Sequence, residues 1–115
     1  MQIEIQSPKL DISPAHRDLV RRRAGFALSR LGPRVERVEV RFEDVNGTRG
    51  GVDKLCRVMV TLARGPAKVV EDRDADLATL IDRVLARAGR AAAKHVEREV
   101  GAAGLRRGSA PEFGQ

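Results

Sequence analysis

The run from Asp74 to Val100, DADLATLIDRVLARAGRAAAKHVEREV, sets the strongest limit on how this chain can fold. Advanced at 100° per residue, it separates into two faces of one long helix. Leu77, Leu80, Ile81, Val84, Ala88, Ala91 and Ala92 fall within about 120° of one another, an apolar surface that another layer has to cover. Elsewhere on the cylinder Arg83, Arg87, Arg90 and Lys94 recur at i, i+4, i+7 and i+11. That spacing holds all four within roughly 60°, and Arg98 extends the row. A solvated face more commonly alternates acid and base. A stripe of one sign forgoes the i,i+4 pairs that stabilise helices, and the pattern predicts a surface that tracks a phosphate backbone.

The covering layer is legible upstream. Met1 to Ser7 alternates Ile3 and Ile5 against Gln2, Glu4 and Gln6, the period of a half-buried strand. Ser13-Pro14 is a helix start, with a hydroxyl to cap the first turn and a proline where its missing N–H does no harm. This helix is predicted to run to about Leu31, ahead of Gly32-Pro33, with Leu19, Val20, Ala27 and Leu31 inward and Phe26 toward the edge. Arg17, Arg21 and Arg22 lie off that face and Arg23 near its boundary. Gly25 inside the helix costs about 1 kcal/mol against Ala, which points to close packing. Val35 to Val45 and Leu55 to Ala63 both alternate strictly, Val38, Val40 and Phe42 on one, Cys56, Val58, Val60 and Leu62 on the other. After the Gly65-Pro66 turn, Ala67 to Glu71 forms a short last strand, and Asp72, Asp74 and Asp76 suit the positive end of the second helix.

The order is β-α-β-β-β-α, which predicts an α+β two-layer sandwich with a four-stranded sheet and two helices on one face. This is the layout of the double-stranded RNA-binding domain. A single domain covers residues 1–100, and residues 101–115, rich in Gly, Ala and Pro without periodicity, are expected to be a disordered tail.

Net charge is +6 and the pI about 10.6, which calls for an acidic partner, most simply nucleic acid. With three Phe and no Tyr or Trp, the chain lacks most of the equipment of modules that bind single strands by stacking. Cys56 is the only cysteine, which excludes an internal disulfide and a CxxC metal pair, and fits a reducing cytoplasm. His16 and His95 have no second ligand beside them, and no nucleophile–base pair suggests itself, so neither enzyme activity, metal nor cofactor is expected. The Gly-rich segment from Asn46 to Lys54 joins two strands and lacks the G-x-x-x-x-G-K-[ST] pattern, so it is not a nucleotide loop. Its Arg49 and Lys54 are candidates to touch a partner. No run is long and apolar enough for a membrane span, and none has the layout of a signal peptide.

Taken in order, these segments resemble the hibernation promoting factor and ribosome-associated inhibitor family in its short form. The resemblance rests on the opening MQIEI, SPAHRDLV, Arg34-Val35 leading into VERVEVRFEDV, EDRDADLATLID, Ile81-Asp82, and R-x-x-R-x-x-x-K-H from Arg87 to His95. It implies a cytoplasmic translation inhibitor; a monomer off the ribosome is expected because the long helix already has its sheet to cover. Such a protein binds the small ribosomal subunit and its ribosomal RNA at the decoding region, with no small-molecule substrate. Carried across, the RNA contacts are Arg83, Arg87, Arg90 and Lys94, with Arg21, Arg22 and Arg23 beside them. Four phosphate contacts predict a salt slope of about −3 to −4. Glu97 and Glu99 depart from the family's Lys-rich helix end. A general double-stranded RNA-binding module and a homodimeric interaction protein of the same fold remain open on the residues alone.

Overall fold

The computed structural model describes residues 1–45 and 54–107, with side chains through Glu99. Strands β1 (Gln2–Gln6), β2 (Val35–Asp44), β3 (Lys54–Leu62) and β4 (Lys68–Asp74) form one sheet in the order β1-β2-β3-β4. Strand β1 runs parallel to β2, and the other pairs are antiparallel. The parallel step needs a crossover, and helix α1 (Pro14–Leu28) supplies it. Helix α2 (Leu77–Arg107) returns across β3 and β4 and packs along α1. The β-α-β-β-β-α sandwich expected from the sequence is the fold observed.

Local chemistry sets the boundaries. The Ser13 hydroxyl accepts the His16 backbone N–H at 3.1 Å, with Pro14 in the first turn. Helix α1 stops at Leu28, three residues short of expectation, and a 3-10 segment, Ser29–Arg34, carries the chain onward. There Gly32 holds φ 55°, a left-handed conformation that glycine adopts without a Cβ clash. At the other end of the domain β4 extends past Glu71 to Asp74, so α2 begins at Leu77. The Asp76 carboxylate caps α2 by accepting the Thr79 backbone N–H at 3.0 Å. Helix α2 also continues past Val100 to Arg107, into the segment expected to be disordered.

The core lies between the layers. Val38, Val40, Phe42, Cys56, Val58 and Val60 from the sheet meet Val20, Ala24, Leu28, Leu80, Ile81, Val84 and Leu85 from the helices. Burial pushes the Cys56 thiol up to about 12, so it stays protonated and unreactive. The apolar arc of α2 is wider than the periodicity suggested, since Leu85, Ala93 and Val96 are buried as well. A helix covered both by a sheet and by a second helix needs more than one stripe. Gly89 marks the closest approach of the two helices: a Cβ there would come within 2.8 Å of the Ala27 Cβ and 3.0 Å of its carbonyl oxygen. Gly25, for which close packing was the expected reason, has nothing within 4 Å of where a Cβ would stand.

Candidate nucleic-acid interface

The basic stripe on α2 divides into two pairs with different employment. Cross-strand register places Asp72 opposite Cys56 and Asp74 opposite Lys54, on the side of the sheet that α2 covers. Arg83 reaches over this rim: its Nε donates to Asp72 at 2.7 Å, one Nη to Asp74 at 3.1 Å and the other to the Arg73 carbonyl at 2.8 Å. Arg87 donates to Asp72 at 3.2 Å and to the Glu71 carbonyl at 3.5 Å. Arg83 and Arg87, two of the four cations expected to track a phosphate backbone, are thus engaged by carboxylates of β4. Partners from β4 replace the missing i,i+4 acids, and the two arginines fasten the helix to the edge strand.

The hydrogen bond from Arg83, aided by the Arg73 backbone N–H and opposed by partial burial, pulls the Asp72 carboxyl down to about 2. In the unfolded chain an aspartate titrates near about 3.9. A depressed carboxylate stabilises the fold fully above that value, and its contribution is lost as pH falls through about 2. Thermal melts are expected to drop between about pH 4 and pH 2, and Asp72→Asn is expected to flatten that part of the profile. An unchanged slope in the variant would show that other carboxylates govern it.

Arg90 and Lys94 are exposed and have no carboxylate partner among the described residues. Alongside them the contacts between the helices advance in the same direction on both. Arg23 pairs with Asp82 at 2.8 Å, and Ala27, Arg30, Ala86, Gly89 and Arg90 then line one open depression. Arg23, expected beside the RNA, thus stitches α1 to α2, and Asp82 of the Ile81-Asp82 pair is its acceptor. Arg21 and Arg22 are exposed on α1 without a carboxylate partner among the described residues. Arg30, which the periodicity did not single out, joins the cationic group from the 3-10 segment. Its signal was there: it follows α1's arginines just before the Gly-Pro stop. Lys54 opens β3, in register with Asp44 and Asp74, and Arg49 lies outside the described residues.

The opposite face of the sheet is neutralised locally. Arg37 pairs with Glu4 at 2.7 Å, Arg41 with Glu43 at 3.1 Å and Arg57 with Glu71 at 2.9 Å. His95, half of the Lys94-His95 pair, packs its ring on Gly65 of the β3–β4 turn, with its Nε2 3.9 Å from Glu99. Its position is that of a packing group. Among the described residues no cluster of three or more His, Cys, Asp or Glu is placed to hold a metal, and no helix is long and apolar enough to cross a membrane.

A family described as sigma 54 modulation protein / S30EA ribosomal protein has a model that matches residues 3–100. The chain belongs to that family. Among solved structures, the fold is shared with a ribosomal subunit interface protein from Coxiella burnetii, at 18% identity and TM-score 0.69, covering 84% of this chain and 99% of that one. The N-terminal domain of Protein Y from Thermus thermophilus is similar at 26% identity and TM-score 0.66, covering 83% of this chain and 99% of that domain. No curated protein matches the chain. Within the S30EA match fall both halves of the α2 stripe, the Asp72–Arg83 fastening and the Arg23–Asp82 pair.

Proposed function

We propose that this S30EA-family chain is a non-enzymatic, ribosome-binding translation inhibitor of the hibernation type. It seats its helical face on small-subunit ribosomal RNA at the decoding region. The observation that carries this reading is the pair of exposed cations Arg90 and Lys94 on α2, with Arg30 beside Arg90 at the seam between the helices and Arg21 and Arg22 exposed on α1. On the sheet's far face Arg37, Arg41 and Arg57 are held in ion pairs, which favours the helical face as the one to meet a polyanion. The family's description as ribosomal supports reading that polyanion as ribosomal RNA. Phosphates are bound by charge and shape, with no base sequence read. The chain acts in the cytoplasm as a monomer when off the ribosome.

The test is sedimentation with purified ribosomal subunits through sucrose at rising salt. Comigration with the small subunit is expected, in preference to an equal mass of duplex RNA. With Arg83 and Arg87 engaged by β4, and Arg90, Lys94 and Arg30 each neutralising one phosphate, log affinity is expected to fall with log salt at about −2 to −3, shallower than four stripe contacts require. Protein left at the top of the gradient at every salt concentration would refute the assignment.

A further inference from the structure

Two of the three phenylalanines fall among the described residues, and they are used in opposite ways. Phe42 is fully buried, whereas Phe26 is 83% exposed in the last turn of α1. An exposed ring on a helix that also turns Arg21, Arg22 and Arg23 outward adds nothing to the core. Phe26 stands where two open depressions adjoin along the α1–α2 seam. Arg23 and Asp82 flank one, and Arg30 and Arg90 flank the other. The residues between are Ala27, Ala86 and Gly89, too small to shield the ring. Arg23 is neutralised by Asp82 at 2.8 Å, while Arg30 and Arg90 have no carboxylate partner among the described residues. One side of the ring is balanced and the other cationic.

We propose that Phe26 is a stacking platform for an unpaired nucleobase of the bound RNA, with Arg30 and Arg90 taking the adjoining phosphates. This rests on the ribosomal RNA reading above and adds to it a class of nucleotide. A duplex keeps its bases stacked and offers an exposed ring no face, so the occupant is a bulged, looped or single-stranded nucleotide. A ring beside guanidinium groups is the pairing used to hold single strands, because every base has a π-face and every nucleotide a phosphate. An apolar protein partner would need a larger patch than one ring bordered by cations.

The chain contains no Trp or Tyr, so Phe26→Trp installs the only strong fluorophore at the point in question. Single-stranded RNA is expected to quench the indole of this variant strongly. A blunt duplex with the same number of phosphates is expected to leave its emission unchanged. Phe26→Ala is expected to weaken binding to both single-stranded RNA and small subunits about tenfold. Its salt slope should equal that of the parent chain, since no charge is removed. The exposed position and alanine's high helix propensity keep the fold intact, which circular dichroism melts verify. If the parent chain binds subunits but Phe26→Ala binds equally well and the F26W indole is not quenched, stacking is overturned and the ribosome reading stands. If single-stranded RNA quenches the indole while the parent chain fails to bind subunits, the ribosome reading falls and the stacking site survives. Loss of a concentration-dependent dimer in Phe26→Ala, without quenching in F26W, would assign the ring to a protein contact and overturn the proposal.

Discussion

Reversing Arg90 and Lys94 together, Arg90→Glu with Lys94→Glu, is expected to weaken small-subunit binding about a hundredfold at physiological salt and to flatten the salt dependence by about 2 in log–log slope. Melting behaviour should hardly change, because both side chains are exposed and neither has a carboxylate partner to lose among the described residues. The comparison that gives this result its meaning is Arg83→Glu. That substitution places a carboxylate against Asp72 and Asp74, which Arg83 now bridges at 2.7 and 3.1 Å. Its first symptom should be a lower melting temperature, with binding impaired only as far as the fold is. If Arg90→Glu with Lys94→Glu binds subunits as tightly as the parent, while Arg83→Glu loses binding with its melt unchanged, then the wrong half of the stripe has been assigned to RNA.

The second large effect concerns the two helix glycines, which are expected to respond to alanine with opposite signs. Gly89→Ala drives a methyl to within 2.8 Å of the Ala27 Cβ and 3.0 Å of its backbone oxygen, atoms that cannot swing away. The helices must separate, and overpacking of this kind costs about 1–3 kcal/mol, reduced by the roughly 1 kcal/mol that alanine gains over glycine within a helix. Gly89→Val, with more volume and no such propensity gain, is expected to lose about 3 kcal/mol. Ala27→Gly in the Gly89→Ala background removes the methyl–methyl clash and should restore part of the loss, the carbonyl contact remaining. Gly25→Ala meets nothing within 4 Å and should stabilise by about 0.5–1 kcal/mol. Urea denaturation of the variants reads both signs in one series. A stable Gly89→Ala protein would mean that the seam is looser than these contacts imply.

Why the two glycines cannot be told apart from the sequence is instructive. Each interrupts a helical pattern, and the pattern says nothing of what lies opposite. The strands and helices themselves were legible because their periods are local: Val38, Val40 and Phe42 alternate whatever their partners are. The end of β4 was not. Aspartates are poor strand formers, so Asp72 and Asp74 pointed to the start of a helix, and it is Arg83 and Arg87 from the next element that meet their carboxylates on the strand. The same contacts explain the stripe. A helical wheel shows that Arg83, Arg87, Arg90 and Lys94 share one side of α2, but not that β4 lies beside the first two and solvent beside the others. Phe26 was expected toward the edge of the apolar face and is instead 83% exposed; the seam that places it next to Arg90 joins segments far apart in sequence.

The three ion pairs on the outer face of the sheet have a consequence for encounter as well as for charge balance. With Arg37, Arg41 and Arg57 each matched by a carboxylate and Arg90, Lys94, Arg21, Arg22 and Arg30 unmatched among the described residues, unmatched positive charge is concentrated on the helical side of the molecule. In the field of a polyanion such a body rotates before it touches, so that most collisions occur with the helices leading. Fewer encounters are wasted on the wrong orientation, and salt acts first on the rate of arrival and only later on the lifetime of the complex.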